Sequence, residues 1–186
     1  MAIDRQQALD LLKQHTSEEN LLKHALASEA IMRALAERLG EDPERWGMAG
    51  LLHDVDYDQT KDRPEKHTLV AEPILRDAGV DDEMIQAVKA HNAEALGIAR
   101  DTKMALALTC AETMTGMVIA ATLVYPDKKI RSVNPKSVIK RMKEKQFARS
   151  VNRDHIRLCE RIGIPLNEFA QLSVQAMNGI SDDLGL

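Results

Sequence analysis

A chain of 186 residues has room for one domain at the usual ~100–200 residues per hydrophobic core. Its residues are 44% hydrophobic and 29% charged but only 3% aromatic, so a core must be built from Leu, Ala, Ile, Val and Met, which favours packed helices over a sheet. Nine Gly, six Pro and the lack of any low-complexity stretch exclude collagen-like, mucin-like and largely disordered chains.

The net charge of −4 is unevenly spread: residues 127–161 hold 12 Lys and Arg against 4 Asp and Glu, while the rest is acidic. This basic segment reads first as a solvated helix face. Phosphates or an acidic partner are the alternative, and with Phe147 its only aromatic, nucleic acid is not the expected partner. The nearest approach to a long apolar run, 117–124, is broken by Thr122 and falls short of the ~20 residues that cross a bilayer. No membrane contact is therefore expected. The first residues, Met1 to Gln6, show no basic segment followed by an apolar one, so the cytoplasm is the expected location. Cys110 and Cys159 form no pair motif and read as reduced core thiols.

In chain order, Thr16, Ser17, Glu18 and Glu19 fit a capping box that starts a helix. Apolar residues at 21, 22, 25, 26, 31, 32, 35 and 39 continue it until Gly40. Asp42 and Pro43 cap a second helix running to about 54. Further helices are predicted over 67–78, late or kinked because of Pro73, and over 82–92 after an Asp81 cap. A long helix covers 102–123, and three more lie at 135–145, 152–162 and 167–180. The expected fold is all-α, an irregular multi-helix bundle in a single domain over 1–186.

Among six histidines, His24 shares the apolar face of Leu21, Ile31 and Leu35, and His53 closes the apolar run 48–52. Both should point inward, and Asp54 follows where helical order ends. A buried carboxylate beside a buried imidazole is costly without a cation, which a metal supplies; a hydrogen-bonded structural pair is the plain alternative. His67 follows Lys66 in a charged loop, and His91 shares an apolar face with Ile85 and Val88. Imidazoles mixed with carboxylates suit Fe, Mn, Zn, Co or Ni, whereas the absence of Cys ligands disfavours a structural zinc site.

The order of these residues resembles the HD-domain superfamily of metal-dependent phosphohydrolases: a histidine (His24), then His53-Asp54 after Leu51-Leu52, then a distant acidic residue (Glu112) before Thr113-Met114-Thr115-Gly116. The resemblance spans about 20–125 as the metal-binding core, leaving 126–186 as a helical extension packed on it. It implies that His24, His53, Asp54 and Glu112 hold one divalent ion, and that His67 and His91 help hold a second. The layout is similar to bacterial HD hydrolases that split symmetrical dinucleoside tetraphosphates. Two features depart from the family: Glu112 stands where it has Asp, and Val55-Asp56-Tyr57-Asp58 follows His53-Asp54, without the lysine of relatives that cleave cyclic dinucleotides. Asp56 and Asp58 read first as an acidic turn and second as supports for the ligands.

The chemistry implied is hydrolysis of a phosphate ester or anhydride of a small, nucleotide-like substrate by metal-activated water, with Asp54, His67 and His91 as catalytic residues. With a single ion, His67 or His91 would serve as general acid or phosphate donor. Lys66 and Asn92 are the candidates for binding substrate phosphate, with Arg63 and Lys103 behind them. The competing reading is a sensor or scaffold that binds metal or nucleotide without turnover. Either could self-associate as a homo-oligomer.

Overall fold

The computed structural model describes residues 3–186. Among them the chain is helical with no strand. The first helix, α1 (Arg5–His15), was not anticipated: Asp4 accepts from the Gln7 amide at 2.8 Å while the Gln7 side chain accepts from Asp4 N–H at 2.9 Å, a reciprocal capping box. The box expected at 16–19 does not form. Helix α2 (Glu19–Leu39) follows Glu18 without a side-chain cap: the Thr16 hydroxyl, expected to cap, makes no hydrogen bond, and Ser17 donates from N–H and hydroxyl to Asp58 at 2.7 and 2.9 Å. Gly40, at φ 72°, ends α2 in the left-handed conformation that glycine adopts without strain.

Asp42 caps α3 (Pro43–Leu52) through the Glu44 and Arg45 amides. Helix α3 lies directly against α2 at Gly50, where an added Cβ would stand 2.7 Å from the Ser28 carbonyl oxygen. That approach brings the end of α3 to His24 on α2. A short α4 (Tyr57–Thr60) leads into turns, and α5 (Ala71–Asp77) begins later than 67. The buried Asp56 carboxylate takes the Thr68 and Ala71 amides at 2.8 and 2.9 Å, so the chain turns there before it can coil. Pro73 then falls in the first turn of α5, where its missing N–H costs nothing.

Asp81 caps α6 (Asp82–His91), which is followed by α7 (Ala93–Leu96). Helix α8 (Lys103–Leu123), capped by Thr102, runs through the centre of the bundle. An 18-residue stretch of it has the mean hydropathy, 1.5, of a membrane span, which counting unbroken apolar runs did not reveal. However, 78% of that stretch is buried inside the bundle, as in the core helix of a soluble fold.

The remainder comprises a 3-10 turn over Ile130–Ser132, α9 (Pro135–Arg141), α10 (Arg153–Arg157), a second 3-10 turn over Leu158–Ile162, α11 (Leu166–Asn178) and α12 (Ser181–Leu184). Helix α9 stops short of the expected 145, and 142–151 is a run of turns. One apolar cluster reaches from Ala8 to Leu184 and includes Leu12, Ile31, Leu51, Leu108, Met114 and Phe169, all fully buried. Both cysteines are buried and free, and burial pushes their thiols up, Cys159 to about 12.

Candidate metal centre

Four histidines arrive at one point from four parts of the chain. His24 comes from α2, His53 from the C-cap of α3, His67 from the turn before α5, and His91 from the last residue of α6. Asp54 lies between them. Its Oδ2 is 3.4 Å from His53 Nε2 and 3.7 Å from His24 Nε2, while its Oδ1 is 3.2 Å from His67 Nε2 and 3.4 Å from His91 Nε2. One carboxylate thus faces two histidine pairs, one with each oxygen.

The outer nitrogens fix the tautomers. His53 Nδ1 is 2.8 Å from the Gly50 carbonyl and His91 Nδ1 is 2.6 Å from that of Val88, and a carbonyl only accepts, so both Nδ1 atoms carry hydrogen. His67 Nδ1 donates to Asp56 at 2.8 Å. His24 Nδ1 is 2.9 Å from Thr115 Oγ1, whose own proton goes to the Glu112 carbonyl, so here too the ring donates. Each neutral ring is therefore left with a lone pair on Nε2, and these lone pairs meet at 3.1 Å between His24 and His53 and at 3.0 Å between His67 and His91. Facing lone pairs at that distance repel unless a cation joins them.

Two ligands each ~2.1 Å from one ion and roughly 90–110° apart would themselves be ~3.0–3.4 Å apart, which fits these separations. The donor set therefore suits divalent ions, in two groups that share Asp54: His24, His53 and Asp54, and Asp54, His67 and His91. Imidazole held by an outer carbonyl or carboxylate is the usual way a protein fixes such a ligand.

Without an ion, a proton is the available cation. Burial opposes charge on His67, but its contacts to Asp54 and Asp56 outweigh this and hold its pKa at about 9. Burial dominates at His53 and lowers it to about 3. Asp54, although buried, is held well below the usual carboxylate range by the imidazoles of His53, His67 and His91.

Other expected residues are placed differently. Glu112 belongs to neither group: its carboxylate accepts from the neighbouring Thr113 hydroxyl, and burial raises its pKa. Its backbone carbonyl orients Thr115, which in turn holds His24. Asn92, expected at a substrate phosphate, spends both amide hydrogens on the carbonyls of Pro64 and His67 at 2.8 and 3.0 Å, so it anchors the loop bearing His67 and has no donor left for an anion. Lys66 is exposed, Arg63 bonds the Gln59 carbonyl, and Lys103 pairs with Glu41 at 2.6 Å.

Two contributors were missed or undervalued. Asp56 is fully buried and orients His67 while tying down its loop, so the reading of a mere acidic turn is replaced. The only sequence signal was its nearness to Asp54. Arg100 bonds the His91 carbonyl, Thr109 and Glu94, fastening the end of α6 to α8; nothing in the sequence marked that long-range link. A cavity of about 680 Å³ between α9 and α11 contains none of the histidine cluster. A cleft of about 370 Å³ does reach it, at His24.

The HD domain family model matches residues 21–123, a stretch that contains the histidines, Asp54 and Glu112. Among curated proteins, ribonuclease Y of Oleidesulfovibrio alaskensis is 27% identical over 109 residues, 58% of this chain but 20% of that relative. The chain thus spans about a fifth of the length of this relative. No solved structure matches.

Proposed function

The chain belongs to the HD-domain family, and from that premise we propose that its four-histidine centre hydrolyses a phosphate ester or anhydride of a small, nucleotide-like substrate. The observation that carries this reading is the convergence of two Nε2 pairs, at 3.1 and 3.0 Å, on the two oxygens of Asp54. His24, His53 and Asp54 would hold one divalent ion, and Asp54, His67 and His91 the other. When bound, such ions polarise the phosphoryl oxygens and make water at the site more acidic.

The chain's own residues supply position and exclusion of bulk solvent. Asp54 fixes the spacing of the two halves with a single carboxylate, and the buried flank of His53 and Asp54 closes the site from behind. Asp56, Gly50, Val88 and Thr115 keep every Nδ1 protonated and every Nε2 free. Asn92 and Arg100 lock the two segments that carry His67 and His91.

The name of the curated relative denotes cleavage of RNA, whose phosphodiester is the same class of bond. The small substrate remains the proposal, since the basic segment 127–161 brings a single aromatic for stacking. The test is chromatographic product analysis, with phosphate release beside it, on nucleoside mono-, di- and triphosphates, a dinucleoside tetraphosphate and an RNA oligonucleotide, in Mn²⁺ or Fe²⁺. Turnover of a small substrate that drops at least a hundredfold in Asp54→Asn is expected. RNA cleavage alone would replace the substrate class, and nucleotide binding without any hydrolysis product would leave a sensor.

A further inference from the structure

The cleft that reaches His24 has two unlike walls. One is made by the family-matched bundle through Glu112 and Thr113, the other by Ser150 and Asn152 from the turns beyond α9 and His155 from α10. Although it is mostly turns, this second wall is tightly built. The Arg153 guanidinium donates to the carbonyls of Ala148 and Val151, both at 2.6 Å, and to those of Glu144 and Phe147. Gly116 on α8 lets Val151 pack close: a Cβ there would lie 3.2 Å from the Val151 methyl.

His155 is fixed as well. Its Nε2 donates at 2.9 Å to Glu94, which Arg100 grips with both nitrogens, so in the neutral ring Nδ1 keeps a lone pair and can accept. Asn152 spends its oxygen capping α10, at 3.0 and 3.3 Å from the Asp154 and His155 amides, which leaves its NH₂ as a donor. Ser150 adds an exposed hydroxyl. Among the described residues no Phe, Tyr or Trp lines this cleft, and the one ring of the wall, the His155 imidazole, is tied at its edge to Glu94.

We propose that segment 144–155, outside the family match, is the specificity wall of the substrate cleft, binding the hydroxyl-rich leaving group, a sugar, of the phosphorylated substrate. Adjacent donors and acceptors without a Phe, Tyr or Trp face beside them suit vicinal hydroxyls better than a base. The proposal rests on the phosphohydrolase reading for the site of the phosphate, while the wall's chemistry stands on its own residues. Because the wall comes from outside the metal-binding core, leaving-group choice can vary without disturbing the ligands.

The test is calorimetric titration of the Mn²⁺-loaded full chain with ribose 5-phosphate, AMP and inorganic phosphate. The sugar phosphate should bind at least tenfold tighter than phosphate, with AMP within about threefold of ribose 5-phosphate. Ser150→Leu and His155→Phe should cut the preference for sugar phosphate at least fivefold, with metal content and melting temperature maintained. Equal affinity for ribose 5-phosphate and phosphate in the wild type, or a preference unchanged in both variants, would overturn the proposal. Phosphate release in the same samples is scored separately: selective sugar-phosphate binding without release refutes the hydrolase reading and leaves the wall standing.

Discussion

Every histidine of the centre spends Nδ1 on a protein acceptor, so acid and metal compete for the same Nε2 lone pairs. At pH 7 His67, with a pKa of about 9, is protonated in the metal-free chain, and loading the site should release about one proton from it. Calorimetry in buffers of different ionisation enthalpy measures that number; release near zero would place His67 outside the ligand set. The same shift fixes the pH dependence of metal-free stability. Because the His67 pKa is raised from 6.5, its contribution is fully present below pH 6.5 and is lost as pH rises to about 9. His53, lowered to about 3, acts oppositely: the unfolded chain takes a proton below pH 6.5 that the folded site refuses, so stability falls as pH drops from there. Melts in EDTA should therefore fall on both sides of about pH 6.5. Asp56→Asn keeps the shape but removes the charge behind His67, and should weaken metal affinity by about 10–100-fold at the His67 half of the site. Two separable affinities by titration would show this, and an unchanged pair would deny Asp56 its role. His24, His53 and His91 could be picked out from the sequence by their apolar faces and His67 by the family resemblance, whereas Asp56 read first as an acidic turn. Its function depends on a loop that folds back to present the Thr68 and Ala71 amides.

The α2–α3 crossing decides whether His24 and His53 meet. Gly50→Ala would drive a methyl to 2.7 Å from backbone that cannot swing away, so the helices must separate. A loss of about 1–3 kcal/mol, typical of overpacking, is expected, together with lost metal affinity as the 3.1 Å pair spreads. Gly47→Ala on the same helix meets only the Arg33 side chain, and should cost less and leave metal affinity intact. Urea unfolding and metal titration of the two variants make the comparison; equal behaviour would mean that the crossing does not set the site. Helices with strong local punctuation, such as α3 between Asp42 and His53 or α8 after Thr102, were legible from the sequence. The start of α2 was not, because the segment before it is tied through Ser17 to Asp58, 41 residues away, and the Thr16 hydroxyl does not cap the helix. Likewise α5 is delayed by a carboxylate remote in sequence, a tertiary contact that local propensity does not contain.

At the scale of the molecule, the extension after α8 shares the core. Ile156, Cys159, Ile162, Phe169 and Met177 belong to the same cluster as Leu12 and Leu51, and α8 is too apolar to stand uncovered. Thermal unfolding of the whole chain should therefore be one cooperative transition, and a chain cut at residue 125 should lose it, as circular dichroism would reveal. Independent melting of 1–125 would instead make the extension a separate unit. The chain order of histidines and acids made the family resemblance legible. The two-pair geometry needed the fold, because only packing decides that Asp54 faces both pairs while Glu112 turns to Thr113. The most direct measurement is elemental analysis of the protein purified without chelator and reconstituted with Mn²⁺ or Fe²⁺, beside Asp54→Asn. Two ions per chain in the wild type, and loss of both in the variant that removes their shared carboxylate charge, are the expected result. No bound metal in the reconstituted wild type, or two ions retained in Asp54→Asn, would contradict a centre built around one bridging carboxylate.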